Sequence, residues 1–416
     1  MTSTWAAGEG PDPSMQRGRP RVLLVSSQPT QNPAPLRLLE QDPRVDVVTV
    51  YYSLLDPRLW RDAEHLTKDA FDIPMLDGHS WTHARNYSPW PSLDKFYGLV
   101  NPGIIALVRR HDCCVVFGHH YMSFWLAIAA ARVFGKPLLL TTDATSLDPR
   151  PGARWRAALR TGLLLPCLYR RVADLVLVPS TASRRFVRSL GVPADRVVLT
   201  PYVVDNDSIA AAAAGADRTR IRKRWRIPAD AAVLMFCAKF LPRKRPHDAL
   251  EAFAQANVPN SHLLMVGDGP LGDSLKTGAG RLGVGDRVHF PGLVKYSALP
   301  EHYVASDALV LASEHEPYGL PVNEAMVCGV PAIVSDRVGA GYDLVEHGKT
   351  GLVYPCGDVE ALARVLSQAL RDPDTLRRMG EAARRRMESW SPRENAEAIV
   401  QAVETAIAGR HPRAGA

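Results

Sequence analysis

The sequence has little cysteine, and its cysteines are not spaced as a disulfide framework or a zinc site would require. Its 416 residues include six cysteines, none of them in a C-x-x-C pair. Scattered cysteines fit reduced core residues better than disulfides or a metal site. The six positions are Cys113, Cys114, Cys167, Cys237, Cys328 and Cys356.

The sequence also lacks a long apolar run. Its most apolar segments, Trp125–Gly135 and Thr161–Tyr169, are shorter than the roughly 20 residues that a membrane-spanning helix needs. The N-terminus lacks the charged-then-apolar order of a signal peptide, and residues 1–18 predict a disordered lead. We therefore expect a cytoplasmic protein, and we leave open a peripheral contact with the inner face of a membrane.

Basic residues outnumber acidic ones, which gives the chain a net charge of +7. Several of the arginines stand in clusters. Such clusters can face nucleic acid, an anionic membrane or a phosphate-bearing substrate, although most are solvated helix faces. No nucleic-acid recognition motif accompanies the charge, so we expect no nucleic-acid partner.

Apolar, β-rich runs alternate with helical patterns along the whole chain. Examples are RVLLV, CCVVF and DLVLV in the first half, and AAVLMFC, HLLMVG and PAIVS in the second. Continuous apolar strands between amphipathic helices predict parallel sheets covered on both faces, and the length suits two doubly wound α/β domains. We place the lead at 1–18, the domains at 19–205 and 206–390, and a capped helix with its tail at 391–416.

The segment His262–Gly272, HLLMVGDGPLG, matches the letters of the dinucleotide pattern G-x-G-x-x-G. That pattern needs a first strand before it and an acid after the next strand, to bind the ribose. Here an earlier strand opens this half of the chain, and the next strand ends in Phe-Pro-Gly. A glycine-rich turn between strand and helix is therefore favoured over an NAD site.

The most specific stretch is Ala308–Asp336, ALVLASEHEPYGLPVNEAMVCGVPAIVSD. A strand is followed by a loop that carries Glu316, and Pro321 marks the start of a short helix that carries Glu324. The N–H groups of the first helical turn predict an anion site. Taken singly, each carboxylate could simply be solvated or complement the helix dipole.

Glu316 and Glu324 are separated by seven residues, and this region resembles the E-x7-E signature of family 4 glycosyltransferases, which are retaining enzymes of the GT-B fold. The segments CAKFLPRKRPHDALEAF, MVGDGP and HFPGLVKYSALPEHY also look like parts of that family's donor domain. Similarity covers about residues 174–360, and the first domain matches in pattern only. The resemblance implies two facing Rossmann-like domains, a cleft between them and a C-terminal helix that crosses back to the first domain.

The resemblance assigns the donor diphosphate to two basic residues, which fall on Lys239 and Lys244. The first is more often arginine in the family, and lysine supplies charge without a bidentate fork, a lack that Arg243 or Arg245 could offset.

The remaining donor residues follow in the same way. The resemblance implies that Glu324 binds the ribose hydroxyls and that Glu316 contacts the transferred sugar. Gly319 and Leu320 would lend backbone N–H groups, and Val294 would contact the base. Gly267 and Asp268 would border the nucleotide, with Asp268 orienting a nearby loop.

In the first domain, His119 and His120 follow one strand and Asp143 follows another, which places them at the cleft. We predict that they bind acceptor, with His119 also a catalytic candidate beside Glu316, Lys239 and Lys244. A helix-start pair bonded to backbone is the alternative for the two histidines. Asp205-Asn206-Asp207 spells the D-x-D motif of another glycosyltransferase fold, but it lies at the domain junction, so we expect no metal.

The resemblance therefore implies a retaining transfer of sugar from a nucleoside-diphosphate sugar, a UDP-sugar by preference, to an acceptor hydroxyl. Glycosides, polysaccharide intermediates, lipid-linked sugars and natural products are the candidate acceptors, and no cofactor is expected. Two alternatives stay open: a sugar-nucleotide epimerase of the same fold, and a glycosyltransferase-like binding subunit without turnover.

Overall fold

The computed structural model describes residues 18–30, 32–54, 72–145 and 160–409. The predicted disordered lead and the tail beyond Gly409 lie outside these residues, apart from Gly18. Within the described ranges, no helix is both long and apolar enough for a bilayer crossing.

The first sheet contains seven parallel strands in the order β3-β2-β1-β4-β5-β6-β7. These strands are β1 (Arg21–Ser26), β2 (Asp46–Tyr51), β3 (Trp81–His83), β4 (Cys113–Phe117), β5 (Leu138–Thr141), β6 (Leu175–Val178) and β7 (Val197–Leu199). Its helices are α1 (Ala34–Gln41), α2 (Ile104–Arg110), α3 (Met122–Val133) and α4 (Thr181–Ser189). A segment with π-helical turns, Arg160–Leu164 and Leu168–Val172, flanks one α-helical turn, Leu165–Cys167.

The second sheet contains six parallel strands in the order β10-β9-β8-β11-β12-β13. These strands are β8 (Ala232–Cys237), β9 (Ser261–Val266), β10 (Val288–Gly292), β11 (Ala308–Leu311), β12 (Ala332–Ser335) and β13 (Gly351–Tyr354). The accompanying helices are α5 (Asn206–Ala214), α6 (Arg218–Arg224), α7 (Pro246–Ala256), α8 (Gly272–Arg281), α9 (Leu299–Val304), α10 (Leu320–Val327), α11 (Gly341–Leu344), α12 (Val359–Arg371), α13 (Pro373–Met387) and α14 (Pro392–Ala408).

Both faces of each sheet are buried, which explains why the strands read as continuous apolar runs. In β8, Val233 and Met235 belong to the core on one face, whereas Leu234 and Phe236 belong to the core on the other. All six residues of β9 are buried. The predicted pair of doubly wound parallel sheets is confirmed, while the domain boundary after Asp205 stays a prediction.

The C-terminal helix covers one face of the first sheet, as predicted. In α14, Ile399, Val400 and Val403 join the core that contains Val22 and Leu24 of β1. The helix begins with a capping box formed by Ser391 and Glu394, which satisfies N–H groups of its first turn. The chain therefore crosses from the second sheet back to the first.

One expectation about the cysteines is wrong. All six are free, but only Cys113, Cys114 and Cys237 are buried. Cys167 is exposed because it lies on the solvent side of the single α-helical turn between the two π-helical turns. Full burial therefore holds for the three strand cysteines, while Cys328 is partly buried and packs against the same core as Cys237.

Candidate active site

The glycine turn after β9 is built around the loop that follows β8. A Cβ atom on Gly267 would lie 2.0 Å from the carbonyl oxygen of Ala238, and Gly269 has a φ of +152°. The Phe240 N–H donates to the Asp268 carbonyl at 2.9 Å. Glycine is thus required for close approach between two backbones, and the turn holds the segment that carries Lys239. The Asp268 side chain accepts from the Gly269 N–H at 2.7 Å.

Lys244 ends a short 3-10 turn, Pro242–Lys244, and its ammonium group forms an ion pair with the Glu316 carboxylate. Their side chains are only 12% and 13% exposed, respectively, so the pair is largely shielded from water. Buried charges are stable in a protein only when they are paired or hydrogen-bonded, which each member provides for the other. Two residues predicted from separate sequence segments therefore meet.

Arg245 supports the same loop from behind. It has a left-handed backbone, with a φ of +48°, and its Nε donates to Asp248 at 2.7 Å. The backbone carbonyl of Arg243 accepts the Glu314 N–H at 2.9 Å, which ties the basic loop, residues 242–245, to the acidic loop, residues 314–318. Arg245 is therefore engaged in fixing the loop.

The loop with Glu316 is anchored to the segment that follows β12. The Gly339 N–H donates to the Glu316 carbonyl at 3.0 Å, and the Ala340 N–H donates to the Tyr318 carbonyl at 2.8 Å. A Cβ atom on Gly339 would lie 2.0 Å from the Pro317 carbonyl oxygen. Only glycine permits this contact, which fixes the path of the loop into α10.

Helix α10 begins as predicted, with Pro321 in its first turn after Gly319, whose φ is +108°. A Cβ atom on Gly319 would lie 3.2 Å from Cγ of Glu316, so the Glu316 side chain packs against this glycine. First-turn N–H groups have no acceptor within the helix and carry partial positive charge. The structure thus brings Lys244, Glu316 and the start of α10 together.

Glu324 lies one turn further along α10 and is only 6% exposed. The Tyr303 hydroxyl donates to its Oε2 at 2.7 Å. Burial raises the pKa of Glu324 to about 7, against the lowering effect of the Tyr303 hydrogen bond. The carboxylate is therefore poised between its protonated and ionised forms near neutral pH.

The space beside Glu324 is small. It is a cavity of about 10 Å³, lined by Ile209, Tyr296, Leu299, Pro300, Tyr303 and Glu324. A cavity of that size has room for about one water molecule. Tyr296 begins a short 3-10 turn, Tyr296–Ala298, that follows Val294, the residue predicted to contact the base.

A residue of the first half contacts that 3-10 turn. Asp72 accepts the Ser297 N–H at 3.1 Å, and the Ser297 hydroxyl donates to its second carboxylate oxygen. The turn beside Glu324 is therefore held from the other half of the molecule.

The predicted acceptor residues follow β4 and β5. His119 is half-buried, with its Nδ1 3.3 Å from the Tyr169 hydroxyl, and its carbonyl accepts from Trp125 Nε1 at 2.8 Å. His120 and Asp143 are exposed.

Tyr202 connects the linker between the two sheets to the loop that carries Glu316. Its ring stacks on Tyr318 with centroids 5.1 Å apart. Its carbonyl accepts from Asn323 Nδ2 at 3.0 Å and from Trp390 Nε1 at 2.9 Å. The linker between the sheets and the loop before α10 thus meet at Tyr202.

The D-x-D sequence has local structural roles. Asp205 accepts the Ser208 N–H at 3.1 Å and caps α5. Asn206 donates to the Met387 and Trp390 carbonyls, and Asp207 is exposed. Across the described residues, no three His, Cys, Asp or Glu side chains are grouped to hold a metal ion.

Comparison with known proteins identifies the family of this chain. The model of Glycosyltransferase Family 4 matches residues 37–208, and that of Glycosyl transferases group 1 matches residues 217–386. The chain is 30% identical over 311 residues to a GDP-mannose-dependent alpha-(1-6)-phosphatidylinositol monomannoside mannosyltransferase of Mycolicibacterium smegmatis. That match covers 70% of this chain and 78% of the mycobacterial one. The chain belongs to glycosyltransferase family 4.

Another relative of this family 4 glycosyltransferase is the N-acetyl-alpha-D-glucosaminyl L-malate synthase of Bacillus anthracis. The two are 36% identical over 190 residues, which covers 45% of this chain and about half, 48%, of the relative. The mycobacterial relative is named a mannosyltransferase, and the family 4 chain is accordingly an enzyme of the hexosyltransferase type.

Solved structures support the GT-B fold of this family 4 chain. Anabaena HepE in complex with UDP and glucose aligns with a TM-score of 0.68 at 20% identity, over 93% of this chain and 100% of HepE. Sucrose-phosphate synthase from Thermosynechococcus elongatus aligns with a TM-score of 0.69 at 21% identity, over 94% of this chain and all of that one. At these identities the likeness establishes the fold alone.

The family signature missed three residues that shape the site of this glycosyltransferase. Tyr303 donates to Glu324, Tyr296 closes the cavity beside it, and Tyr202 stacks on the acidic loop. Each lies at least 20 residues from its contact, so local spacing carries no signal for them. Tyr296 and Tyr303 do stand in the segment that resembles the family's base-binding region, which is the only hint the sequence holds.

Proposed function

We propose that this enzyme is a retaining glycosyltransferase that moves a sugar from a nucleoside-diphosphate sugar to an acceptor hydroxyl. The observation that carries the proposal is the shielded ion pair of Lys244 and Glu316, which lies against Gly319 at the start of α10. A cation, an acid and a helix N-terminus at one strand edge suit a sugar diphosphate, which is anionic at one end and rich in hydroxyls at the other.

In this proposal, Lys239 and Lys244 bind the diphosphate together with the N–H groups of Gly319 and Leu320. As the bond from sugar to phosphate breaks, charge grows on the phosphate and is stabilised by donors already in place. Glu316 holds Lys244 before the donor arrives and then accepts hydrogen bonds from the sugar hydroxyls. The departing phosphate takes the proton of the acceptor hydroxyl on the same face, which retains the configuration.

Glu324 is assigned to the ribose hydroxyls, with Val294 at the base and Gly267 and Asp268 bordering the nucleotide. The cavity beside Glu324 is smaller than a ribose. The assignment therefore requires the 3-10 turn Tyr296–Ala298 to move away from Glu324 when the donor binds. Short turns that are held by few hydrogen bonds open at a low cost in free energy.

We propose UDP as the nucleotide, supported by the UDP complex of HepE, while the mycobacterial relative is named for GDP-mannose. The proposed chemistry needs no metal, since lysines and backbone N–H groups supply the positive charge. Acceptor binding is assigned to His119, His120 and Asp143 at the ends of β4 and β5, with His119 nearest the reacting atoms. We place the enzyme in the cytoplasm, with peripheral membrane contact as an option.

A thermal-shift panel tests the donor site. UDP, GDP, ADP, dTDP and NAD are added to purified protein with and without EDTA, because a ligand at a hundred times its dissociation constant stabilises by about 2.7 kcal/mol. We expect stabilisation by UDP that EDTA does not change. Lys244→Met should reduce UDP affinity about ten- to a hundredfold, because it removes a charge-assisted contact.

The matched control is Lys276→Met, since Lys276 is 60% exposed on α8. A shift with NAD alone would return the glycine turn to a dinucleotide role. A shift with a different nucleoside diphosphate would correct the base, and loss of the UDP shift in EDTA would remove the metal-free mechanism. Consumption of UDP-sugar without any acceptor, giving an isomeric UDP-sugar, would favour an epimerase.

A further inference from the structure

One loop of the first domain places its polar side chains inward and its aromatic side chains outward. We call residues 85–99, which connect β3 to α2, the aromatic loop. Asn86 is its central polar residue: Nδ2 donates to the Gly98 carbonyl at 2.9 Å, and Oδ1 accepts the Ser88 N–H at 3.0 Å and the Val100 N–H at 2.9 Å. The Ser88 hydroxyl donates to the Tyr97 carbonyl at 2.6 Å.

Backbone constraints make the aromatic loop rigid. Ser92 approaches Gly98 so closely that a Cβ atom on the glycine would lie 1.9 Å from the Ser92 carbonyl oxygen. Pro89 and Pro91 flank Trp90 and fix the backbone φ angle on both sides of it. The loop is therefore preorganised, and it presents its aromatic rings at little entropic cost.

The rings themselves face solvent. Trp90 is 72% exposed, Tyr87 and Tyr97 are each 60% exposed, and Phe96 is 39% exposed. The Arg85 guanidinium lies 5.1 Å from the centroid of Tyr87, and Phe96 packs edge-on against Tyr97 with centroids 4.9 Å apart. Burying these rings would be favourable, so their exposure on a rigid loop indicates a binding surface.

The position of the aromatic loop connects it to the predicted acceptor side. The loop starts after β3 ends, and Tyr121, which follows His119 and His120, donates its hydroxyl to the Leu93 carbonyl at 2.6 Å. The rings of His120 and Tyr121 are 4.6 Å apart. The aromatic loop therefore shares the carboxyl edge of the first sheet with the candidate acceptor residues.

We propose that Tyr87, Trp90 and Tyr97 form a stacking platform for sugar rings of a saccharide acceptor. This inference rests on the proposed transferase function and names its acceptor class. A sugar ring offers an apolar C–H face to an aromatic ring and hydroxyls to the polar tips of tyrosine and tryptophan.

Charge favours a saccharide over an anionic membrane. The aromatic loop carries Arg85 and Lys95 against Asp94, and the Arg85 guanidinium already lies over Tyr87. Anionic lipid surfaces are usually recognised by clusters of about four to eight basic residues. A nearly neutral aromatic surface fits an uncharged glycan.

The test measures retention of the full chain, in the presence of UDP, on a glycan array of mono- to hexasaccharides. Trp90→Ala and Tyr97→Ala should each weaken binding to the retained glycans about tenfold, and Trp90→Phe should keep most of it. Val133→Ala is the control, because Val133 is 79% exposed at the far end of α3. The thermal shift with UDP should be the same in all variants, which also shows that they fold.

The outcomes separate this inference from the proposed function. If UDP does not raise the melting temperature of the wild type, the donor assignment is wrong. Glycan retention would still test the stacking platform by itself. Equal glycan retention by wild type and Trp90→Ala would overturn the platform, as would retention of no glycan by the wild type. Sedimentation with phosphatidylglycerol–phosphatidylcholine vesicles that Trp90→Ala abolishes, without glycan retention, would assign the loop to a membrane instead.

Discussion

Glu324, which is proposed to bind the ribose, lowers the free energy of unfolding because its carboxyl group is buried. Burial raises its pKa to about 7 from an ordinary value of 4.5. Between these two pH values the native state holds a proton that the unfolded state has released. Stability must therefore fall as the pH rises through this window, by on the order of 3 kcal/mol in total. The proposed role keeps an ionisable group where a neutral one would be more stable.

Glu324→Gln should remove that cost and impair donor binding together. At pH 8 we expect the variant to unfold at a higher temperature than the wild type, while at pH 5 the two should nearly coincide, because wild-type Glu324 is then protonated. The affinity for UDP should drop, since an amide cannot replace a carboxylate toward two hydroxyls. Thermal unfolding across pH with and without UDP measures both effects.

Glu404→Gln is the control, because Glu404 is exposed on α14. A Glu324→Gln variant whose melting temperature follows the wild type at every pH would contradict the raised pKa. Unchanged affinity for UDP would instead remove the ribose assignment and leave the pKa argument intact.

The parts of the site that could be predicted from the sequence are residues that lie close together along the chain. Glu316, Gly319 and Glu324 lie within nine residues, so a strand end and a helix start were enough to predict their order. The family resemblance assigned Lys244 to the same donor, and the structure pairs Lys244 with Glu316. Tyr303 could not be predicted, because its contact with Glu324 depends on how α9 packs against α10.

At the scale of elements, the glycine turns show why the pattern G-x-G misleads. Gly267 and Gly339 each allow another backbone segment to approach, and a Cβ atom on either would lie 2.0 Å from a carbonyl oxygen. One turn supports the segment that carries Lys239, and the other supports the loop that carries Glu316. The pattern therefore reflects packing between loops as much as contact with a ligand.

Gly339→Ala should destabilise the protein by about 1 to 3 kcal/mol, because the new methyl group forces the Pro317 carbonyl to move. It should also lower the affinity for UDP, since Glu316 depends on the same contact. Gly280→Ala is the matched control: Gly280 lies in the last turn of α8 with open space around it, and alanine there should change stability by less than about 1 kcal/mol. Denaturant unfolding measures the stability of the two variants, and titration measures their affinity for UDP. Equal stability and equal affinity of the two variants would refute the packing argument.

Exposure explains why two edge strands are not apparent in the sequence. Most strands follow continuous apolar runs, but β3 and β13 were not predicted. The three residues of β3, Trp81–His83, are half-exposed or exposed, and the two central residues of β13 are only partly buried. Short edge strands lack the continuous apolar pattern that both-face burial imposes on central strands.

At the scale of the whole molecule, a few polar contacts join the two halves in addition to α14. Asp343 of α11 accepts the Thr181 N–H through both carboxylate oxygens at 3.1 Å, at the start of α4. Ser180 caps the same helix from within the first half by accepting the Ser183 N–H at 3.1 Å. The second half thus supplies an acceptor to a helix terminus of the first, which favours negative charge.

Asp343→Ala should loosen the arrangement of the two halves while leaving each of them folded. Removing the carboxylate removes one capping interaction, which is worth about 1 kcal/mol. Because Ser180 still caps α4, the loss destabilises the relative position of the halves and leaves the helix intact. We expect a broader distribution of distances between spin labels placed on the two sheets, measured by pulsed electron resonance, with far-ultraviolet circular dichroism unchanged. Asp374→Ala is the control, since Asp374 is 66% exposed and its ion pair among the described residues is with Arg377 of its own helix, at 3.0 Å. A distance distribution identical to that of the wild type would mean that α14 and the linker alone set the arrangement, and that the contact of Asp343 with Thr181 follows from it.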